Sequence, residues 1–255
     1  MEEKKQRLVL GEMVWPEVEK ELPNIKVAVI PVGSCEQHGP NTTFITDSER
    51  AYAFCKMLGD RVGNKILIAP PVTYGISTHH MPFPTTVTLR IETMIHLLCD
   101  IAESFSKHGI KKILFVNGHG GNRPVLTSAV TKLQYEYGID AYWSTMGTNL
   151  ARAQISKKME IPSMIGHACE VETSQCMYLC PWVVHENLQP GQLHTESMYF
   201  RKVLSDGAGA WNWKKAPSEN GALGDPRRSS REIGEEMTQI ALDYFEKLIE
   251  EIIAR

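Results

Sequence analysis

Glu36 and His38 are separated by one residue in the segment GSCEQHG. Asp47 follows at the end of the same polar stretch, and His119 sits between glycines in NGHGGN. Carboxylate oxygens and imidazole nitrogens are ligands for divalent cations, and a centre of two ions needs a carboxylate that bridges them about 3.5 to 4 Å apart. Residues two apart in an extended segment face the same way, so Glu36 and His38 can reach one site. The glycines beside His119 let the backbone pass close to an ion or a substrate. A second group, GHACEVETS from Gly166 to Ser174, carries His167, Glu170 and Glu172 ahead of the helix-compatible run QCMYLC. One of the two glutamates would serve the metal, leaving His167 or the other glutamate to move protons. Spacing alone does not separate Glu170 from Glu172. Plain structural roles stand beside these: a hydrogen-bonded histidine after a strand, Asp47 as a helix cap, acidic residues in a helix's first turn.

These residues need a scaffold that brings distant loops together. Residues 26–32 (KVAVIPV), 65–71 (KILIAPP) and 112–116 (KILFV) are short β-branched apolar runs that end at Gly- or Pro-rich turns, as strands buried on both faces do. A fourth strand is expected at 141–145. Amphipathic helices are expected at 47–58, 91–108 and 124–137, and a terminal one from Arg231. Alternating strands and helices argue for a layered α/β fold with a mostly parallel sheet, which binds ligands outside the carboxyl ends of its strands. GSCEQHG, TYGISTHH and NGHGGN all follow strands, so Ser77, His80 and Asn122 join the expected crevice as candidate substrate-binding residues. The stretch from Pro181 to Arg228 has little periodicity and reads as an elaborated loop region or an oligomer contact.

At 255 residues, with no shift of composition along the chain, a single domain over 1–255 is expected. The 27 basic and 30 acidic residues are mixed, leaving a formal charge of -3 and no basic stripe for nucleic acid or anionic lipid. The N-terminal segment lacks the apolar run of a signal peptide, and six scattered cysteines without a CxxC pair fit reduced thiols, so a cytoplasmic location is expected.

The ordered segments PVGSCEQHGP with Asp47, YGISTHHMPFPTT, FVNGHGGN, GHACEVETS and GALGDPRRSS resemble the creatininase (creatinine amidohydrolase) family, in its NGHGGN branch. The resemblance spans about residues 28 to 230. It implies a three-layer α/β/α sandwich, two divalent metal ions per chain (zinc, manganese or iron) and a homo-oligomer, often a hexamer. It gives Glu36 and His119 to one ion, His38 to the other and Asp47 to both. Creatininase proper supplies a further glutamate two residues after the NGH histidine. Here that position is Gly121, which points to Glu172 as the replacement. FPGT has become Phe83-Pro84-Thr85-Thr86, and Pro162 to Ile165 stands where creatininase carries a tryptophan over its ligand, so creatinine is not the expected substrate.

The implied chemistry is hydrolysis of a C–N bond in a cyclic amide or formamide by a metal-activated water, with His167 or Glu170 carrying a proton to the leaving group. Some relatives resemble ring-opening hydrolases of keto-inositols, and Asn41, Thr42, Ser77 and Thr78 would suit such a polyhydroxylated ring. Two rival readings stand: Cys35 as a thiol nucleophile activated by His38, and a binding protein on an enzyme scaffold.

Overall fold

The computed structural model describes residues 6–146, 149–156, 166–191 and 218–255. Five parallel strands form one sheet in the order β1-β3-β2-β4-β5: β1 Leu8–Val9, β2 Val27–Val32, β3 Ile66–Ile68, β4 Lys112–Asn117 and β5 Asp140–Thr145. Seven helices accompany them among the described residues: α1 Trp15–Glu21, α2 Thr46–Val62, α3 Ile91–Lys107, α4 Arg123–Glu136, α5 Asn149–Ser156, α6 Glu170–Leu179 and α7 Arg231–Ala254.

Alternation along the central strand fixes the layers. Ala28, Ile30 and Val32 of β2 pack with Met94 and Leu98 of α3 and with Leu126 and Leu133 of α4. Val27 and Val29 point the other way, into Phe54 and Leu58 of α2, Cys176 of α6 and Phe245 and Ile249 of α7. This is the three-layer α/β/α sandwich that the sequence led us to expect. Every residue of β2 is buried, as a strand covered on both faces must be.

The prolines show how the sheet opens toward the site. β3 stops at Ile68, ahead of Pro70 and Pro71, which cannot donate to a ladder. Pro31 in β2 is tolerated because its polar edge faces the side where β3 has ended; its carbonyl accepts from the Val72 amide at 2.9 Å. The chain therefore leaves β3 early and swings its 69–90 loop across the carboxyl end of β2.

Close approaches of backbone hold the loops there. A Cβ on Gly33 would stand 2.5 Å from the Cα of Ser48, and one on Gly118 would stand 2.4 Å from the Asp47 carbonyl oxygen. Glycine at both positions lets the loops after β2 and β4 press on the first turn of α2.

Candidate metal centre

Three loops and two helix ends meet above the sheet. The loop after β2 brings Glu36 and His38, the loop after β3 brings His79 and His80, and the loop after β4 brings His119. Asp47 comes from the first turn of α2, and His167 and Glu172 from the start of α6. Asn122 ties these loops together: its amide oxygen accepts from the Ile76 amide at 2.9 Å and its nitrogen donates to the Gly33 carbonyl at 2.9 Å.

Three imidazoles are oriented in the same way. One nitrogen of each meets a backbone carbonyl: Nδ1 of His38 at Glu36 (3.2 Å), Nε2 of His119 at Ile76 (3.0 Å) and Nε2 of His167 at Gln37 (2.7 Å). A carbonyl only accepts, so the proton sits on that nitrogen and the opposite one turns its lone pair inward, which is how metal-binding histidines are usually held. Nε2 of His38 faces Asp47 Oδ1 at 3.5 Å and Glu172 Oε2 at 3.8 Å. Nδ1 of His119 lies 3.1 Å from Glu36 Oε1 and 3.1 Å from Asp47 Oδ2. Nδ1 of His167 lies 3.8 Å from Glu36 Oε1.

The carboxylates are braced from behind. Ser77 donates to Glu36 Oε2 at 2.6 Å, Ser34 to Asp47 Oδ2 at 2.7 Å, and the Ala168 amide to Glu172 Oε2 at 2.7 Å. Ala168 itself has φ +50, a left-handed conformation that costs a residue with a Cβ about 1 to 2 kcal/mol and that turns its N–H toward Glu172. The buried Oε1 of Glu36 and Nε2 of His38 accept no hydrogen bond from the described residues. Lone pairs left bare in a buried site, each facing others, are suited to a cation.

The charges agree with that reading. Burial disfavours protonation of His38, yet Asp47 beside it and then Glu172 push its pKa up to about 9. Burial likewise opposes a proton on His119, but Glu36 and Asp47 hold its pKa well above the usual value. Burial would raise the carboxyls of Glu36 and Asp47, and the neighbouring imidazoles keep both below their ordinary range. His167 is shifted down, first by burial and then by His38, so it is neutral when the site is assembled.

Three groups of donors have their ligand atoms within 4.8 Å of one another: Glu36, His38 and His167; Glu36, His79 and His119; and His38, Asp47 and Glu172. Glu36, His38, Asp47, His119, Glu172 and His167 from the sequence reading are thus brought together. Glu170 is not among them; burial, and then the charge of Asp225, raises the pKa of its half-buried carboxyl. Ser77, His80 and Asn122 are buried and bonded to protein. Gln37 fixes the His80 ring: its Oε1 accepts from the Gly39 amide at 2.7 Å, so its Nε2 donates to Gly221 O at 3.0 Å and to His80 Nδ1 at 2.7 Å. The His80 proton is then on Nε2, which lies 3.4 Å from Glu36 Oε1 without bonding to it.

Gly121 accounts for the missing glutamate of the NGH motif. A Cβ there would come within 2.4 Å of the Ile76 carbonyl, so no side chain fits and a carboxylate has to come from elsewhere. The residues Pro162 to Ile165 lie outside the described residues. Sequence reasoning missed His79, Ser34 and Arg50. The guanidinium of Arg50 is buried: its Nη2 donates to Asp47 Oδ1 at 3.2 Å and to Gly118 O at 2.8 Å, and it is ion-paired with Glu172 Oε1 at 2.8 Å. Its place one helical turn after Asp47 was a signal that could have exposed it.

Both nitrogens of His38 face other groups, Nδ1 the Glu36 carbonyl and Nε2 Asp47, and burial, followed by Glu36, raises the Cys35 thiol's pKa. Neither condition favours a thiolate nucleophile. A cavity of about 140 Å³ opens beside the centre, lined by Arg50, His119, Arg123, Thr145, Glu172 and Gln175 among others.

The family model described as creatininase, creatinine amidohydrolase, matches residues 11–249. The chain belongs to the creatininase family. Members of this family are hydrolases, and so is this one. Among its relatives, a mycofactocin precursor peptide peptidase of Mycolicibacterium smegmatis is 33% identical over 83% of this chain and 79% of that protein. A 3-dehydro-scyllo-inosose hydrolase of Thermotoga maritima is 25% identical over 95% of this chain and 83% of that one. Of solved structures, a manganese creatininase superposes with a TM-score of 0.75 at 22% identity, covering 96% of this chain and 98% of its own. A creatininase variant of Zn–Zn type gives 0.74 at 22%, covering 97% and 98%. These two structures match this chain in fold. A peptidase relative was not foreseen from the sequence.

Proposed function

We propose that this creatininase-family hydrolase cleaves a C–N amide bond at a centre of two divalent cations. The observation that carries the proposal is the division of Asp47: Oδ2 meets His119, which also faces Glu36, and Oδ1 meets His38, which also faces Glu172. Two donor sets share one carboxylate, as a bridged pair requires. Imidazole and carboxylate donors of this kind suit zinc, manganese or iron(II), and the bare Glu36 Oε1 and His38 Nε2 supply the unsatisfied valences.

When bound, such cations lower the pKa of a water toward neutrality and polarise an acyl oxygen. The chain's own groups do the rest. Neutral His167, its Nε2 anchored on Gln37, presents Nδ1 to take a proton and pass it to the departing nitrogen, a role worth about 10²- to 10⁴-fold. Glu172 replaces the family's NGH-motif glutamate, and Glu170 takes no part. Ser77, His80 and Asn122 position Glu36 and the loops rather than touch substrate.

The amide reading draws support from the peptidase relative, since a peptide bond is an amide. Opening of a keto-inositol ring has less support. Asn41 and Thr42, which would have greeted a polyol, are buried; Asn41 Oδ1 accepts from the Gln189 amide at 2.7 Å, and the Thr42 backbone pairs with Val184. A homo-oligomer belongs to the same reading, and exposed Trp15 and Trp182 would suit a subunit contact.

The test is metal content at saturation by elemental mass spectrometry for the parent, Asp47→Ala and His119→Ala. It is paired with trials of cyclic amides, N-formyl compounds and short peptides against dehydro-inososes. Two ions in the parent, sharp loss in both variants and turnover of an amide are expected. A parent that binds no ion overturns the proposal.

A further inference from the structure

The cavity of about 140 Å³ beside the centre has a wall that the hydrolytic reading leaves unused. His119 and Glu172, one from each of two donor sets, border it, and His167 does not. Since His167 serves the departing nitrogen, the cavity lies on the acyl side of the scissile bond. Met146, Val171, Cys169 and Met237 give it a buried apolar flank. The guanidinium of Arg50 is buried in another part of the wall, and Arg123, the first residue of α4, stands exposed at its rim. Two residues of this wall carry a buried donor with no acceptor among the described residues: Nε of Arg50 and Nε2 of Gln175. Protein interiors rarely leave donors in that state. Glu172, the one carboxylate among the lining residues, is already paired with Arg50 at 2.8 Å and with the Ala168 amide at 2.7 Å. It therefore repels an incoming anion only weakly.

We propose that this cavity selects the acyl part of the substrate and takes a carboxylate: the protein hydrolyses an amide whose acyl chain ends, after a short apolar spacer, in a carboxylate. The inference rests on the amide reading above and adds to it a substrate class. Size sets the spacer. A cavity of roughly 150 Å³ accommodates benzene, so this one takes about five or six heavy atoms, the length of a succinyl or glutaryl chain beyond its reacting carbon. The spacer lies along Val171 and Met237, and the carboxylate offers its oxygens to Arg50 and to Gln175, whose amide turns to meet it. Arg123 at the rim draws the anion in. An apolar acyl group of the same length would leave both donors bare beside a guanidinium and is disfavoured on that account. Hydrolysis adds water across the C–N bond and releases an amine and a dicarboxylate.

The experiment compares succinate with butyrate, which has the same number of carbons but one carboxylate fewer, by calorimetric titration of the manganese-loaded full-length protein. It is paired with turnover of the N-methyl and p-nitrophenyl monoamides of both acids. Succinate should bind about ten- to a hundredfold more tightly than butyrate, and the succinic monoamides should show a kcat/KM higher by a similar factor. Gln175→Leu should remove most of that contrast, and Arg123→Gln should lower it and flatten its dependence on salt. Succinate no tighter than butyrate in the parent overturns the inference, since the cavity then holds water only, and leaves the amide reading standing. A contrast that survives both variants undiminished overturns it as well. Tighter binding of succinate with none of the four amides turned over defeats the amide reading and the substrate class with it, which is a different outcome.

Discussion

Nδ1 of His119 lies 3.1 Å from Oε1 of Glu36, both buried, with the ring's other nitrogen committed to the Ile76 carbonyl. Two lone pairs cannot face each other at that distance without a positive charge between them. In the metal-free protein the charge is a proton, and in the loaded protein it is the cation, so the two compete for one place. The same exchange holds at His38, with its pKa of about 9.

Metal uptake near pH 7 should accordingly release about one to two protons per chain. Titration in buffers of different ionisation enthalpy measures this directly; binding heats independent of buffer would contradict it. Stability follows the same groups. A folded pKa raised from 6.5 to about 9 contributes stability that is fully present below pH 6.5 and is lost as pH rises through 9. Thermal melts in chelator should therefore fall across that window, while metal affinity rises over it. A melting temperature that climbs with pH would show the sign to be wrong.

Ser77 supplies the hydrogen bond to Glu36 Oε2 at 2.6 Å, from a site with no solvent to replace it. Ser77→Ala should weaken metal binding at Glu36 about 10- to 100-fold, as removal of a group behind a ligand does. It should lower folding stability by about 1 to 3 kcal/mol, since a buried charged acceptor loses its donor. Metal titration and chemical denaturation read the two effects separately, and Ser77→Thr should restore part of both.

Cys35→Ser should keep at least half of the parent activity, and thiol-blocking reagents should leave the parent working while chelators abolish turnover. The raised thiol pKa and the orientation of His38 both argue this way. Loss of turnover in Cys35→Ser with metal content intact would bring back the thiol route.

Much of the scaffold was legible. The runs at 26–32 and 112–116 became β2 and β4 because consecutive β-branched residues suit strands covered on both faces. The run at 65–71 is cut to Ile66–Ile68 by its prolines. Leu8–Val9 was invisible, since two residues in a charged neighbourhood give no periodicity, and they pair only because β3 presents an edge. Helix α2 runs on to Val62, beyond the expected 58, through Gly59, where a Cβ would stand 2.8 Å from Ile68 and glycine lets helix and sheet touch. Within the site, Glu36, His38, Asp47 and His119 were readable because motif residues follow strands. Glu172 could not be told from Glu170 until the helix beginning at Glu170 set their directions. Arg50 stayed hidden because a guanidinium between two carboxylates is a fact of three dimensions.

The parallel order of the sheet bears on how the protein folds. No two adjacent strands of this parallel sheet can be joined by a tight hairpin, and Glu36 and Glu172 belong to segments separated, among the described residues, by three strands and four helices. Such contacts form only after many loops have closed, so the chain is expected to fold slowly and to complete its metal-binding corner late. A cation recognises a geometry that no early intermediate possesses. It would therefore act as a lock on the finished molecule, slowing escape from the native state and leaving the rate of reaching it almost untouched.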